Sequence, residues 1–280
     1  MSTAQYWDDR ALRHGHTGWS DWLIYEFDQL AREKAIRGVL SKIGATRRKT
    51  KAIDLGTGTG DFARVLAGTY SQVVAVDISE KVLEIARRIS VRAKNIRFVH
   101  PDALSTEDTQ DADLVLSVTV LNHIMDDAAL HATIERLGRS LAADGYFIAL
   151  EYCASKPALG NSYQRSLTFE EWKTIFAGCG LTLHDCYGFY HPNLDRCKSF
   201  DRYRESFIVR LLRRVGRSPM SARALRLAAA FFQLGREDYF WRARPTDTLR
   251  VMVFRKSTQA LPSTASSPAV QSGSGAAMAA

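Results

Sequence analysis

Three glycines at alternate positions, in Asp54-Leu55-Gly56-Thr57-Gly58-Thr59-Gly60, constrain this chain more than anything else in it. They follow a β-like run, Lys51-Ala52-Ile53, and precede a helix-like run, Phe62-Ala63-Arg64-Val65-Leu66. Without a Cβ the backbone turns tightly and comes close to a ligand. A helix that begins at such a loop offers free N–H groups to that ligand. The segment therefore reads as a nucleotide-type cofactor loop between a strand and a helix. A dinucleotide fingerprint spaces its glycines Gly-x-Gly-x-x-Gly. Here the third glycine arrives one residue early, and Asp61 stands where that fingerprint wants glycine. A carboxylate at a helix start repels a diphosphate and suits an ammonium group. Asp54, two residues before the first glycine, points the same way.

The next strands agree. Ser71-Gln72-Val73-Val74-Ala75-Val76-Asp77 is an apolar run ending in a carboxylate, which can accept both hydroxyls of a ribose. Ile96-Arg97-Phe98-Val99-His100-Pro101-Asp102-Ala103 has an acid just past its end, placed to accept the exocyclic amine of adenine. Acids thus stand at the C-terminal ends of three successive strands, where open α/β sheets bind ligands. S-adenosylmethionine carries an ammonium, a sulfonium and no phosphate, and fits this pattern.

With these segments the chain resembles the class I S-adenosylmethionine-dependent methyltransferases. The matching stretches are AIDLGTGTGDFA (52–63), VVAVDIS (73–79), FVHPDAL (98–104), DLVLSVTVLNHIMD (113–126) and DGYFIALEY (144–152). The likeness continues through 165–172 to about residue 190 and resumes at 248–256. It implies that Asp54, Gly56, Thr57, Gly58 and Gly60 hold the methionine portion, Asp77 and Ile78 the ribose, and Asp102 and Ala103 the adenine, with Val118 beside them. It also implies that the stretch around Tyr6, Trp7 and Arg10 folds over the cofactor. Arg10, with Arg13 close behind, would meet the methionine carboxylate. An exposed helix with an apolar anchor is the plain alternative for that stretch.

The layout supports the same fold class. Residues 50–55, 72–77, 95–99, 112–118 and 145–151 are strand-like, with helical patterns between them. Ser79 and Glu80 form an N-cap with an acid in the first turn, opening a helix to about Lys94. A helix spans Thr168 to Ala177, and Leu181–Tyr190 and Leu249–Arg255 are the last strands. The expectation is an α/β, doubly wound, mostly parallel seven-stranded sheet with helices on both faces and a helical insertion before the last strand. Residues 1–48 form an N-terminal helical cap, with apolar Trp22, Leu23, Phe27, Leu30, Val39, Leu40 and Ile43 at helical spacing. Residues 49–190 and 246–257 form the core.

Residues 191–245 depart from the pattern. These 55 residues hold thirteen Arg and Lys against five acids, an excess of +8 that equals the net charge of the whole chain. Such asymmetry speaks of a partner rather than of the fold. A helical lid with solvated arginines, an anionic substrate site and an amphipathic face on an acidic membrane compete as readings. Nucleic acid ranks below them, for want of an accompanying binding module. Residues 258–280 carry no charged side chain, are rich in Ser, Ala, Gly and Pro, and read as a disordered tail.

No apolar run approaches the roughly 20 residues of a membrane span. The N-terminus lacks a basic start and apolar centre, so it does not read as a signal peptide. The four cysteines, Cys153, Cys179, Cys186 and Cys197, show no Cys-x-x-Cys pairing, so no metal site is expected and the protein reads as reduced and cytoplasmic. Peripheral contact with the inner face of a membrane is the variant.

Methyl transfer from a sulfonium needs mostly positioning and desolvation. A base is needed only for a hydroxyl or an acidic carbon. His123, in Leu121-Asn122-His123-Ile124 after the fourth strand, is the first candidate. His14 and His16, in a polar loop placed before the first helix, are candidates for a lid or substrate contact, with a surface loop as the alternative. His191 is a third, with a turn before Pro192 as its alternative. Glu151 is placed for substrate contact or for holding an arginine. The reading is methyl transfer to an oxygen, ahead of nitrogen or carbon, of a small-molecule, sugar or lipid-linked, anionic acceptor. The alternatives are an NAD(P)-dependent oxidoreductase and a non-catalytic membrane or regulatory protein on the same fold.

Overall fold

A computed structural model describes residues 2–20, 22–44, 50–156, 158–161, 163–189, 207, 210, 241–242 and 248–256. Helices α1 (Thr3–His14) and α2 (Trp22–Lys42) precede the sheet. Then come β1 (Lys51–Leu55), α3 (Asp61–Ala67), β2 (Gln72–Val76), α4 (Glu80–Ile89), β3 (Ile96–Val99), α5 (Thr106–Thr109), β4 (Ala112–Val118), α6 (Asp127–Ser140) and β5 (Leu141–Tyr152). A hairpin of β6 (Ala158–Asn161) and β7 (Gln164–Ser166) follows, then α7 (Phe169–Gly178), β8 (Leu181–Phe189), β9 (Trp241–Arg242) and β10 (Leu249–Lys256).

The sheet order is β3-β2-β1-β4-β5-β10-β8-β9. Strands β1 to β5 pair parallel to one another, while β10 runs antiparallel to both β5 and β8. The expected seven-stranded, mostly parallel sheet is present. The two-residue β9 adds a short edge strand inside the segment expected to be helical. The rest of the 191–245 helix reading, except Phe207 and Arg210, lies outside the described residues, as does the tail.

Alternation along each strand sends neighbours to opposite faces. Ala52, Val73, Leu114 and Val251 join one core with Phe27, Ala31, Ile36 and Val39 of α2 and Phe62 and Leu66 of α3. Ile53, Val74, Val115 and Met252 join the other with Leu130, Ile134 and Leu137 of α6 and Trp172 and Phe176 of α7. Strands buried on both faces read as near-continuous apolar runs, which is why β4 is buried along six of its seven positions.

Caps set the helix starts that matter for the site. Ser79 Oγ accepts the Val82 N–H at 3.1 Å, and Asp126 Oδ1 accepts the Ala129 N–H at 2.7 Å. Two boundaries differ from the sequence expectation. The first helix is α1, which ends at His14 and precedes His16 rather than following both. Strand β5 starts at Leu141, directly from α6, because its first residues pair with Ala112 before a register shift. Among the described residues, no helix is long and apolar enough to cross a membrane.

Candidate functional site

The glycine loop joins β1 to α3 in a conformation open to few residues. Gly56, Gly58 and Gly60 have φ of 66°, 54° and 78°. A Cβ on Gly56 would also overlap the Val120 side chain, so glycine is required there on two counts. The loop is tied to the next strand: Thr57 N donates to Val76 O at 2.9 Å, and Gly58 N donates to Asp77 Oδ2 at 2.9 Å.

A cavity of about 900 Å³ opens above the ends of β1, β2 and β4. Gly56, Thr57, Gly58, Asp77, Ile78 and Val118 stand on its wall, as the sequence reading placed them. Asp77 is buried, and its Oδ1 also accepts the Ser79 N–H at 3.0 Å. Burial raises the Asp77 pKa, and the N–H groups of Ser79, Gly58 and Ile78 pull it back. The carboxylate therefore faces the cavity already fixed by backbone donors.

The other strand-end acids fall elsewhere. Asp54 is off the wall. Its Oδ2 accepts the Thr57 hydroxyl at 2.6 Å, and the Ala63 N–H at the start of α3 also bonds it. Burial pushes its pKa up to about 7. It shapes the loop from behind rather than meeting a ligand, which corrects its assignment to the methionine portion. Gly60 also lies behind the wall, packed near Phe98. Asp102 and Ala103 are not on the wall either, although Pro101 and Leu104 are. The Asp102 carboxylate is 92% exposed, 3.4 Å from His100 Nδ1.

The N-terminal helix supplies one side of the cavity through Tyr6, Trp7 and Arg10. It is fastened to the start of α4 where Ser79 Oγ donates to Asp8 Oδ1. Arg10 donates from Nε to Thr17 O at 3.2 Å and from Nη2 to Gly18 O. Its guanidinium thus straps the 15–20 loop instead of standing free for a carboxylate. Arg13 is not on the wall. Tyr25 on α2 extends the strap, its hydroxyl donating to Asp61 Oδ2 at 3.2 Å beside Thr59.

His16 stacks on the Tyr25 ring, with centroids 3.6 Å apart and planes 3° apart. It is buried and off the cavity wall. Burial, then His14 and Arg10, lower its pKa to about 4. The catalytic assignment of His16 is therefore withdrawn: it is a packing residue under the loop. His14 is the last residue of α1, and His191 lies outside the described residues.

His123 does reach the cavity. It ends a 3₁₀ turn, Leu121–His123, that follows β4. Glu151, wholly buried at the end of β5, fixes that turn by accepting the N–H groups of Val120, Leu121 and Asn122 at 3.1, 3.0 and 3.4 Å. Burial pushes Glu151 up to about 7 against those donors. Glu151 is off the cavity wall, and among the described residues it holds backbone N–H groups rather than an arginine. The ring of His123 lies edge-on to Trp7 at 4.9 Å, and its Nδ1 is 2.7 Å from Tyr163 O. A carbonyl oxygen only accepts, so Nδ1 carries the hydrogen and the neutral ring keeps its lone pair on Nε2. Burial lowers the His123 pKa, and Arg10 adds to that.

Several residues of the site escaped the sequence reading. Tyr163 comes from the β6–β7 hairpin, whose short strands carry no legible pattern. Its ring stacks on Tyr6 at 5.7 Å. Arg165, also in the hairpin, donates to Ile124 O, Asp127 Oδ1 and Met125 O, each at 2.7 Å, and so ties the hairpin to the turn bearing His123. Asp28 and Arg32 line the cavity from α2, and Thr119 and Asn122 from the loop after β4. An acid followed four residues later by an arginine is the pattern of an ordinary exposed helix face.

Residues 52–145 match the profile of a family described as a methyltransferase domain. A demethylmenaquinone methyltransferase of Staphylococcus aureus is 24% identical over 166 residues, covering 53% of this chain and 68% of that protein. Among solved structures, the phosphoethanolamine N-methyltransferase 2 of Haemonchus contortus in complex with S-adenosyl-L-methionine aligns with a TM-score of 0.58 at 16% identity. That alignment covers 92% of this chain and 60% of that one. The complex of DhpI with S-adenosylhomocysteine aligns at 0.54 and 15% identity, over 92% and 96% of the two chains.

Proposed function

The chain is a class I S-adenosylmethionine-dependent methyltransferase, and we propose that it methylates an oxygen of a small acceptor with His123 as the general base. S-adenosylmethionine is its cofactor, and the nicotinamide alternative is set aside. The residues present fit the cofactor. Asp77 presents a buried carboxylate to the ribose. The left-handed glycines bring backbone to the wall where side chains would block it. Bound there, the cofactor supplies an electrophilic methyl group on a sulfonium.

The observation that carries the proposal is the His123 Nδ1 to Tyr163 O contact at 2.7 Å on the cavity wall. It fixes both the tautomer and the ring orientation. Nε2 then takes the hydroxyl proton as the acceptor oxygen bonds the methyl carbon and the carbon–sulfur bond breaks. Glu151 keeps the turn in place, and Tyr6, Trp7 and Tyr163 exclude water around the acceptor oxygen. A ring held neutral is ready as a base across the neutral range.

Besides Ile78 at the ribose end, the cavity wall exposes the large side chains of Met125 and Tyr163, at 43% and 46%. They favour an acceptor with an apolar body that extends past the rim. The +8 segment 191–245 would suit an anionic group on that acceptor or an anionic surface near it.

The test is His123→Asn with an acceptor found by screening. The expected result is a fall of kcat by about a hundredfold or more. Affinity for S-adenosylhomocysteine should stay within about twofold, since the residue is assigned to chemistry and not to the cofactor. In the wild type, activity should fall as pH drops through the lowered His123 pKa, below the ordinary histidine range, and this limb should be missing in the variant. Full activity in His123→Asn removes the base.

A further inference from the structure

We propose that the end of α4 and the turn from it to β3 form a docking surface for an anionic lipid bilayer. From Ile85 to Pro101 the chain carries Arg87, Arg88, Arg92, Lys94 and Arg97 and no acid. Strands β2 and β3 pair parallel, so α4 leaves the cavity end of the sheet at Ser79 and returns to the end where the strands begin. None of the five cations lines the cavity.

Part of this charge is committed locally. Arg87 donates to Glu80 Oε1 at 2.6 Å and to Phe98 O at 3.2 Å, and Arg97 pairs with Asp108. Cations in the last turn of a helix also suit its dipole, which gives Arg87 and Arg88 an ordinary role. That role does not extend to Arg92 and Lys94, which lie past the helix. Arg88, Arg92 and Lys94 are exposed, and none is bonded to an acid among the described residues.

The second observation is apolar. Of the large apolar side chains left exposed, Ile78, Met125 and Tyr163 belong to the cavity wall. Ile89 and Val91 stand together at the other end of the sheet, 49% and 63% exposed. Scattered apolar residues on a surface need no explanation, but these two are interleaved with the three uncommitted cations.

The turn is pinned at both ends. Buried Ser90 accepts Arg64 Nη1 on its hydroxyl at 3.0 Å and the Ala93 N–H on its carbonyl at 2.9 Å. Asn95 Nδ2 donates to Ala67 O and Tyr70 O, each at 2.9 Å. Val91, Arg92 and Lys94 are presented between these pins, so little ordering entropy remains to be lost on docking.

Apolar tips set among cations suit a fluid interface. Ile89 and Val91 enter the headgroup layer while the guanidinium and ammonium groups meet lipid phosphates. A protein partner would have to offer a fitted pocket for both tips and carboxylates spaced to match; a bilayer needs neither. Docked this way, the protein turns its cavity mouth away from the lipid and keeps it open to water.

The experiment is sedimentation of the full chain with vesicles, comparing phosphatidylcholine alone with an equimolar mixture of phosphatidylcholine and phosphatidylglycerol. The wild type should partition onto the anionic vesicles and be released by high salt. Replacing Arg88, Arg92 and Lys94 together by glutamine should lower that partition by about a hundredfold, near fivefold for each cation. Ile89→Ser with Val91→Ser should lower it by about tenfold and carries the test if the triple variant does not fold. Unchanged S-adenosylhomocysteine titration in both variants shows that the fold is intact, because the turn is remote from the cavity. A wild type that ignores anionic vesicles, or binds neutral ones equally, overturns the proposal. So does binding that survives both sets of substitutions and is lost when Arg210, Arg213 and Arg214 are replaced by glutamine, since the contact would then belong to the 191–245 segment.

Discussion

The cavity has two halves built on different principles. Its cofactor half is made of strand ends. The wall residues Gly56, Asp77 and Val118 stand at or just past the ends of β1, β2 and β4, and parallel pairing brings those ends together. The half proposed for the acceptor is made of pieces with no common register: Tyr6 and Trp7 from α1, His123 from a 3₁₀ turn, and Tyr163 from a hairpin. The first half follows from topology, so any sequence that folds this way places those positions alike. The second depends on side-chain bonds between segments far apart in the chain. Among the described residues, the buried Glu151 carboxyl group, the Arg165 guanidinium and the His123 ring all make such bonds.

Substitutions can break this division. The largest effect is expected for Gly56→Ala, which adds a Cβ at φ 66° against Val120. It should cost about 2–4 kcal/mol of stability and most of the cofactor affinity, read by thermal melts and S-adenosylhomocysteine titration. Glu151→Ala leaves three N–H groups and one hydroxyl unpaired in a closed site. It should destabilise by about 2–3 kcal/mol and lower kcat far more than it weakens the cofactor. Equal loss in both readouts would show that the halves are not separate. Asp77→Ala should weaken S-adenosylhomocysteine by about tenfold or more with the fold retained, a loss confined to the cofactor half. Unchanged titration heats would count against the ribose assignment.

The smallest effect is in pH. Burial holds Glu151 at about 7, above its unfolded value. The contribution is therefore complete below the unfolded pKa and is lost as pH rises through about 7. The melting temperature of the wild type should decline over that window, and Glu151→Gln should decline less. Parallel curves would locate the pH response in another group, such as Asp54, which burial raises to a similar value.

The two halves also differ in how far the sequence discloses them. Asp77 was legible because a strand that ends in an acid needs no knowledge of its neighbours. The mostly parallel sheet with helices on both faces was legible from alternation and spacing. Asp54 was misread because the same logic cannot say whether a side chain turns toward the ligand or back into its own loop. Burial against Thr57 and the start of α3 decides that, and burial is a property of the fold. His16 was misread for the same reason, since stacking on Tyr25 hides a ring that looks polar and exposed in the chain. Tyr163 left no signal, because two short hairpin strands carry too little periodicity to stand out. Asp28 and Arg32 were hidden in plain view, as a pair that most helices show to water.

Arg165 has one more consequence. Because Arg165 ties the hairpin to the loop beyond His123 and the His123 ring bonds Tyr163 O, the floor of the proposed acceptor chamber travels with the proposed base as one cassette. Transplanting that cassette, hairpin and turn together, between relatives should re-address the enzyme to a new acceptor while the cofactor cradle stays untouched.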